Sequence, residues 1–200
     1  YEIKDSKPFD LSQVNFDELK ERFSSKDKKK TTLESLKSAV KKKIKELMQL
    51  NPIRESYLDK FEDLVANYNA GDIDAEKFFL ELVNLSRSLG EEENRHMREN
   101  LTEEELVVFD ILTKPEPKLS KKEIEVVKEV AKELLEKLKK EKLVLDWKKR
   151  QSTRAKVVNT IEEVCDKLPE TYETEIFKNK CNNLYVYFYD NYSNEKVIFN

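Results

Sequence analysis

Glycine is almost missing from this 200-residue chain, which has only Gly71 and Gly90. A loop that cradles phosphate with its backbone amides needs several glycines close together, so nucleotide-binding loops of that kind are excluded. Histidine occurs once, as His96 in a polar stretch with no cysteine or second histidine nearby. That argues against histidine-assisted nucleophilic catalysis and histidine-based metal sites, and His96 reads as a surface residue. Cys165 and Cys181 each fall on an apolar helical stripe and lack the short spacing of metal ligands, so both read as buried free thiols. No apolar run approaches the roughly 18 residues of a membrane span, and no signal peptide is recognisable. The expectation is a cytoplasmic protein without a membrane partner. The first residue is Tyr1 rather than Met, which leads us to expect a piece of a longer protein.

What the chain does contain is charge and helix formers. Charged residues make up 40% of it, with only five prolines, a balance that favours an all-α fold of about seven to eight helices in a bundle. The net charge of −3 argues against a generic nucleic-acid coat, but the charge is segregated. Residues 20–45 carry eleven Lys/Arg against three acids, and residues 137–156 carry nine against two. Residues 46–112 carry six against seventeen. Two basic blocks around an acidic one are either a phosphate footprint or complementary faces that meet within the fold.

The clearest local signal lies between Leu101 and Leu145, where one helix-start device occurs twice. Thr102 with Glu105 and Ser120 with Glu123 form capping boxes, and Leu101/Leu106 and Leu119/Ile124 stand where hydrophobic staples belong. Lys114-Pro115-Glu116-Pro117 removes two backbone donors, which stops the first of these helices near Thr113. The second carries an apolar stripe of Ile124, Val127, Ala131, Leu134 and Leu138.

Earlier in the chain, Tyr1 to Asp10 reads as a tether, and Asn15 caps a short helix with Phe16, Leu19 and Phe23 on one side. Thr31-Thr32-Leu33-Glu34 is a third capping box, opening a helix with Leu33, Leu36, Val40, Ile44 and Leu47 inside. Asn51-Pro52 starts a helix that buries Ile53, Tyr57, Phe61, Leu64, Val65 and Tyr68 and ends at Gly71. Asp74 caps the next, which Gly90 closes. Beyond Leu138 the period breaks, and Asp146 caps a helix with Val158, Ile161, Cys165 and Leu168 in the core until Pro169. A last helix from about Glu175 carries Phe177, Cys181, Leu184, Phe188 and Tyr192, and residues 191–200 are a tail or short strand. The expected organisation is residues 1–30 as tether and short helix, 31–100 as one helical subdomain and 101–200 as another.

No set of residues assembles into a catalytic or metal site. Two other groupings stand out. Lys148, Lys149, Arg150, Arg154 and Lys156 fall on successive turns of the expected helix beside Trp147, and Lys41, Lys42 and Lys43 form a second cluster. Cations placed this way can contact successive phosphates of duplex DNA, while the blander reading is a solvated helix face near the acidic segment. Trp147, Tyr185, Tyr187, Tyr189 and Tyr192 exceed what one stripe can bury, and tyrosine and tryptophan are enriched at protein interfaces, so they are candidates for partner docking.

The stretch LTEEELVVFDILTKPEPKLSKKE (101–123), LVLDW (143–147), IEEV (161–164) and Leu168-Pro169-Glu170 resemble the helical C-terminal region of the motor and endonuclease subunit of type I restriction enzymes. NFDELKERF (15–23), LNPIR (50–54) and YNAGD (68–72) resemble the same region. The resemblance implies a parent that translocates and cleaves DNA with ATP and magnesium, and a helical module that docks onto the methyltransferase and specificity subunits. Nucleases of that family use an acid followed by Glu-x-Lys. The triplets Glu2-Ile-Lys4, Glu18-Leu-Lys20 and Glu116-Pro-Lys118 fit that spacing but arise freely in so charged a chain. The helicase and nuclease motifs are not present, so this segment is expected to be catalytically silent and to hold no cofactor of its own. The alternative is a helical module that grips the DNA backbone through the basic blocks.

Overall fold

A computed structural model describes residues 11, 15–25, 27–143 and 146–192. The expected tether at Tyr1 to Asp10, the triplet Glu2-Ile-Lys4, Val144, Leu145 and the tail from residue 193 lie outside the described residues. Among the described residues, 79% are helical, in nine α-helices of which eight have seven residues or more, and no strand occurs. The all-α expectation is met. The chain divides into two compact units, Tyr1–Glu99 and Asn100–Asn200.

The first unit contains α1 (Phe16–Ser24), α2 (Lys29–Leu50), a 3-10 turn (Pro52–Arg54), α3 (Glu55–Ala70), α4 (Ala75–Glu93) and the single turn α5 (Arg95–Arg98). Its core is built by Leu19 and Phe23 of α1, the expected α2 stripe, Phe61 of α3, and Phe78, Phe79, Leu82 and Leu89 of α4. Phe23 stacks on Phe79 with centroids 4.1 Å apart, and Tyr68 on Phe78 at 4.3 Å. Each fully buried large apolar side chain is worth about 1.5–3 kcal/mol. Of the apolar set expected in α3 only Phe61 is fully buried, and the others are half-buried.

Caps behave as expected at Asn15, Asn51 and Asp74, whose side chains accept backbone amide hydrogen bonds. Gly71 closes α3 in the left-handed conformation at φ 82. Two expected boundaries are wrong. The third capping box does not form, because α2 starts two residues upstream at Lys29, and the Thr32 amide already bonds the Lys28 carbonyl at 2.8 Å. Nothing in Lys29-Lys30 resists helix, so Thr31, the expected cap, lies inside the first turn, and Thr32 is buried. Gly90 does not close α4, which continues to Glu93. The reason is tertiary: the buried Arg54 guanidinium donates to Glu92 Oε1 at 2.9 Å and to the Glu92 carbonyl at 3.4 Å, fastening the turn after the glycine.

The second unit contains α6 (Glu103–Thr113), α7 (Lys121–Lys137) running into a π-helical turn (Leu138–Lys142), α8 (Gln151–Cys165) and α9 (Thr174–Asn191). Both capping boxes form reciprocally at Thr102/Glu105 and Ser120/Glu123. The break in period after Leu138 is the π turn, closed by the Leu143 amide on the Leu138 carbonyl at 2.8 Å. Asp146 does not cap a helix. It sits at φ 61 in the connection, and α8 begins only at Gln151. The buried face of α8 uses Val157 and Val164 with Ile161 and Cys165, while Val158 and Leu168 are half-buried. Three-four spacing back from Ile161 admits either valine, and packing against α7 and α9 chooses Val157. Cys165 and Cys181 are free and buried. They are hydrogen-bonded to each other, which pushes the Cys165 thiol well up and lowers that of Cys181.

The C-terminal carbonyls of α6 are satisfied from α9 and its lead-in. Buried Lys180 donates through Nζ to the Ile111 carbonyl at 2.9 Å and the Lys114 carbonyl at 2.6 Å, and the Tyr172 hydroxyl donates to the Leu112 carbonyl at 3.1 Å. Burial lowers the pKa of Lys180.

Replacing Lys180 by Met leaves two carbonyls without their donor and is expected to cost about 1–3 kcal/mol in denaturant unfolding; an unchanged midpoint would mean these bonds carry no stability. At Gly90 an added Cβ meets nothing within 4 Å and φ is ordinary, so Gly90→Ala is expected to stabilise by about 0.4–1 kcal/mol. At Gly71 the positive φ makes the same substitution destabilising by roughly 1–2 kcal/mol, and thermal melts of the two variants check the opposite signs.

Candidate binding surface

The connection between α7 and α8 carries a run of exposed cations, and the C-terminal half of α9 carries most of the tyrosines. The fold brings the two together in the second unit. Trp147 is the pivot. It is 1% exposed, and its indole Nε1 donates to the Tyr192 carbonyl at the end of α9, 3.2 Å away. The expectation that Trp147 offers itself to a partner is therefore corrected: the ring is core, because its one polar atom finds a helix-terminal acceptor inside the unit.

Tyr185 and Tyr189 meet Trp147 edge-to-face, with centroids 6.5 and 6.0 Å away, and lie 5.9 Å from each other. Tyr185 is half-buried, whereas Tyr189 is 40% exposed and Val186, a turn before it, is 46% exposed. Tyr187 and Tyr192 form a separate pair, 6.1 Å apart and in contact with Phe188. The Tyr192 hydroxyl donates to Glu104 Oε1 at 3.2 Å. The aromatic set thus splits into the half-buried pair Tyr187 and Tyr192 and the pair against Trp147, of which only Tyr189 faces outward. Val186 is missing from the sequence-derived candidates, although its offset from the Cys181-Leu184-Phe188 stripe marks it as facing away from the core.

Lys148, Lys149 and Arg150 do not lie on a helix as expected, because they precede Gln151. The backbone around them is nonetheless fastened. Thr153 Oγ1 donates to the Trp147 carbonyl at 2.6 Å and to the Arg150 carbonyl at 2.8 Å, and an Arg154 guanidinium nitrogen donates to the Lys148 carbonyl at 2.5 Å. Lys148 Nζ lies 5.0 Å from the centroid of Tyr189 and 5.9 Å from that of Trp147. Lys149 pairs with Asp146 at 2.9 Å yet keeps 71% of its side chain exposed, and Arg150 and Lys156 are exposed.

In the first unit, the second cation cluster is only partly available. Lys43 is held by Glu93 at 2.6 Å with its side chain 16% exposed, whereas Lys41 and Lys42 are exposed, Lys42 with Glu46 at 3.7 Å. Lys29 pairs with Glu76, and in the second unit Lys139 pairs with Glu104. Within each unit the basic and acidic blocks therefore do meet. His96 is half-buried rather than on the surface, its Nδ1 3.1 Å from the Glu93 carbonyl. Glu18 of one Glu-x-Lys triplet pairs with Arg22 on α1 at 2.8 Å, and Glu116 of another lies between two prolines. No group of three or more His, Cys, Asp or Glu suited to a metal ion occurs among the described residues, and no helix there is long and apolar enough to cross a membrane.

Burial, with Glu104 adding to it, pushes Tyr187 up to about 12, and burial likewise raises Tyr172 and Tyr192. A phenol whose folded pKa lies above its unfolded value stabilises the native state fully below the unfolded value of 10.0, and that stability is lost as pH rises through the folded one. Tyrosinate absorbance is accordingly expected to rise in two stages, the later one coinciding with loss of helical circular dichroism. A single stage with helicity intact would contradict the burial of these rings.

The family described as Type I restriction enzyme HindI endonuclease subunit-like, C-terminal, matches residues 1–182. No curated protein and no solved structure matches the chain. The match covers nearly the whole length, including both units' capping signals and the connection carrying Lys148 to Arg150, and the chain belongs to this family of type I restriction enzyme endonuclease subunit-like C-terminal domains.

Proposed function

We propose that the chain is a non-catalytic assembly module, which docks the endonuclease subunit onto the methyltransferase and specificity subunits of a type I restriction complex in the cytoplasm. The observation that carries this reading is the outward face of α9. Val186 and Tyr189 stand exposed on a helix braced from behind by Trp147, with cations beside them. A rigid aromatic anchor rimmed by polar groups suits a protein interface. ATP and magnesium, which the parent subunit's translocation and cleavage require, act in this reading outside these 200 residues.

A second reading, favoured by the exposure of Lys149 and Arg150 on a fastened backbone, is contact with the phosphates of DNA, joined by Lys148, Arg154 and Lys156, with Lys41, Lys42 and Lys43 a separate candidate set within the first unit.

The first reading is tested by size-exclusion chromatography with light scattering on the chain mixed with its cognate methyltransferase-specificity complex, at moderate salt and without DNA. Co-elution is expected, with loss of the complex on Val186→Asp or Tyr189→Ala. Separate elution of the unaltered chain would overturn the docking role.

A further inference from the structure

Exposed Tyr189 lies against the half-buried Lys148, with exposed Lys149 and Arg150 next to it in the chain, and that juxtaposition selects a ligand class. We infer that the Tyr185–Tyr189 face of α9, together with Lys148, Lys149 and Arg150, binds single-stranded nucleic acid, with bases on the tyrosine and phosphates on the cations. The inference rests on the second reading above, in which this basic connection meets nucleic acid, and names the form of nucleic acid involved.

Three observations carry it. The first is rigidity, since a stacking platform has to be held in place before the base arrives. Tyr189 is on a helix, with the edge-to-face Trp147 ring 6.0 Å away and Tyr185 5.9 Å away, and is still 40% exposed. The second is the position of the cations. Lys148 Nζ lies over one face of the Tyr189 ring, 5.0 Å from its centroid, on a backbone tied to Arg154 and Thr153, so a phosphate-binding ammonium stands at the ring and a base stacks on the opposite face. The third is the composition of the rim. In sequence, the acids nearest to Lys148, Lys149, Arg150 and Arg154 and to Tyr189 are Asp146, which pairs with Lys149 at 2.9 Å, and Asp190, leaving an excess of positive charge, and Asn182 and Asn183 on α9 are exposed amides able to meet base edges.

The same features discriminate between nucleic-acid forms. A duplex keeps its base faces stacked inward and offers a convex protein surface mainly phosphates, for which lysines and arginines suffice and tyrosines add nothing. An unpaired strand presents base faces and phosphates alternately, matching a ring with cations beside it. An acidic polypeptide would use the cations but supply no flat partner for the ring.

The test is fluorescence anisotropy of a labelled oligothymidylate against the full chain at low salt, compared with a duplex of equal length and with poly-glutamate as competitor. Trp147 is the only tryptophan, and its contact with Tyr189 makes its emission an internal reporter of stacking. The expected result is tighter binding of the single strand than of the duplex, weakening with salt. Tyr189→Ala is expected to lose about 5- to 150-fold in affinity, the equivalent of roughly 1–3 kcal/mol per stacked base. Tyr189→Phe, which keeps the ring, retains affinity, and Lys149→Glu weakens it without disturbing the fold, since that side chain is exposed. Equal affinity for both forms with no effect of Tyr189→Ala would overturn the inference while leaving the phosphate-contact reading standing. Absence of binding to either form would overturn both. Displacement by poly-glutamate as effective as by unlabelled oligonucleotide would overturn it in favour of an acidic protein partner.

Discussion

The last carbonyls of every helix need donors, and in a chain with two glycines almost none of these helices can end in a left-handed glycine cap. Only α3 does so, at Gly71. At the ends of α2, α4, α6 and α9 buried side chains supply donors. Arg54 reaches the Leu47 carbonyl at the end of α2 and the Glu92 carbonyl near the end of α4, Lys180 and Tyr172 reach the end of α6, and Trp147 reaches the end of α9. All of these bonds but the one from Arg54 to Leu47 join elements apart in sequence, so satisfying the backbone also fixes which helices pack together. The cost is desolvation of a cation, visible in the lowered pKa of Lys180, and it is offset because a cation at a helix C-terminus meets the negative end of the helix dipole.

The same logic explains how so charged a chain stays compact. Arg54 is buried against Glu92, which also pairs with Arg95 at 3.2 Å, and removing Glu92 leaves the buried guanidinium without its carboxylate, at about 3–5 kcal/mol. Around this, Lys29–Glu76 and Lys43–Glu93 bring the basic α2 against the acidic α4 within the first unit, and Lys139–Glu104 does the same in the second. Surface pairs of this kind add little stability individually, but they use up cations that would otherwise face solvent. Lys149 and Arg150 stay exposed in the connection before α8, next in sequence to Lys148, whose ammonium lies 5.0 Å from the Tyr189 ring centroid.

Much of the fold was legible in the sequence because its signals are local. Both capping boxes, the Lys114–Pro117 stop, the caps at Asn15, Asn51 and Asp74 and the turn at Gly71 are decided within three or four residues. The failures share a cause. Gly90 looked like a stop, yet Arg54, 36 positions earlier, holds the next turn in helix. Asp146 looked like a cap, yet it takes a left-handed conformation in a connection that turns Trp147 inward. Thr31 had a capping pattern with Glu34, yet α2 already starts at Lys29 and takes Thr31 into its first turn.

The candidate surface was legible as two lists of residues, basic and aromatic, with no indication that Lys148 and Tyr189 would meet or that Trp147 would be hidden behind them. By itself the sequence determined helix content, most helix starts and the identity of the apolar stripes, since those depend on backbone donors and on spacing along one chain. Only the tertiary structure decided which carbonyls Arg54, Lys180 and Trp147 would cap, which valine of α8 would be buried, and which tyrosine would face outward. Those outcomes depend on distances between helices, which no local pattern encodes.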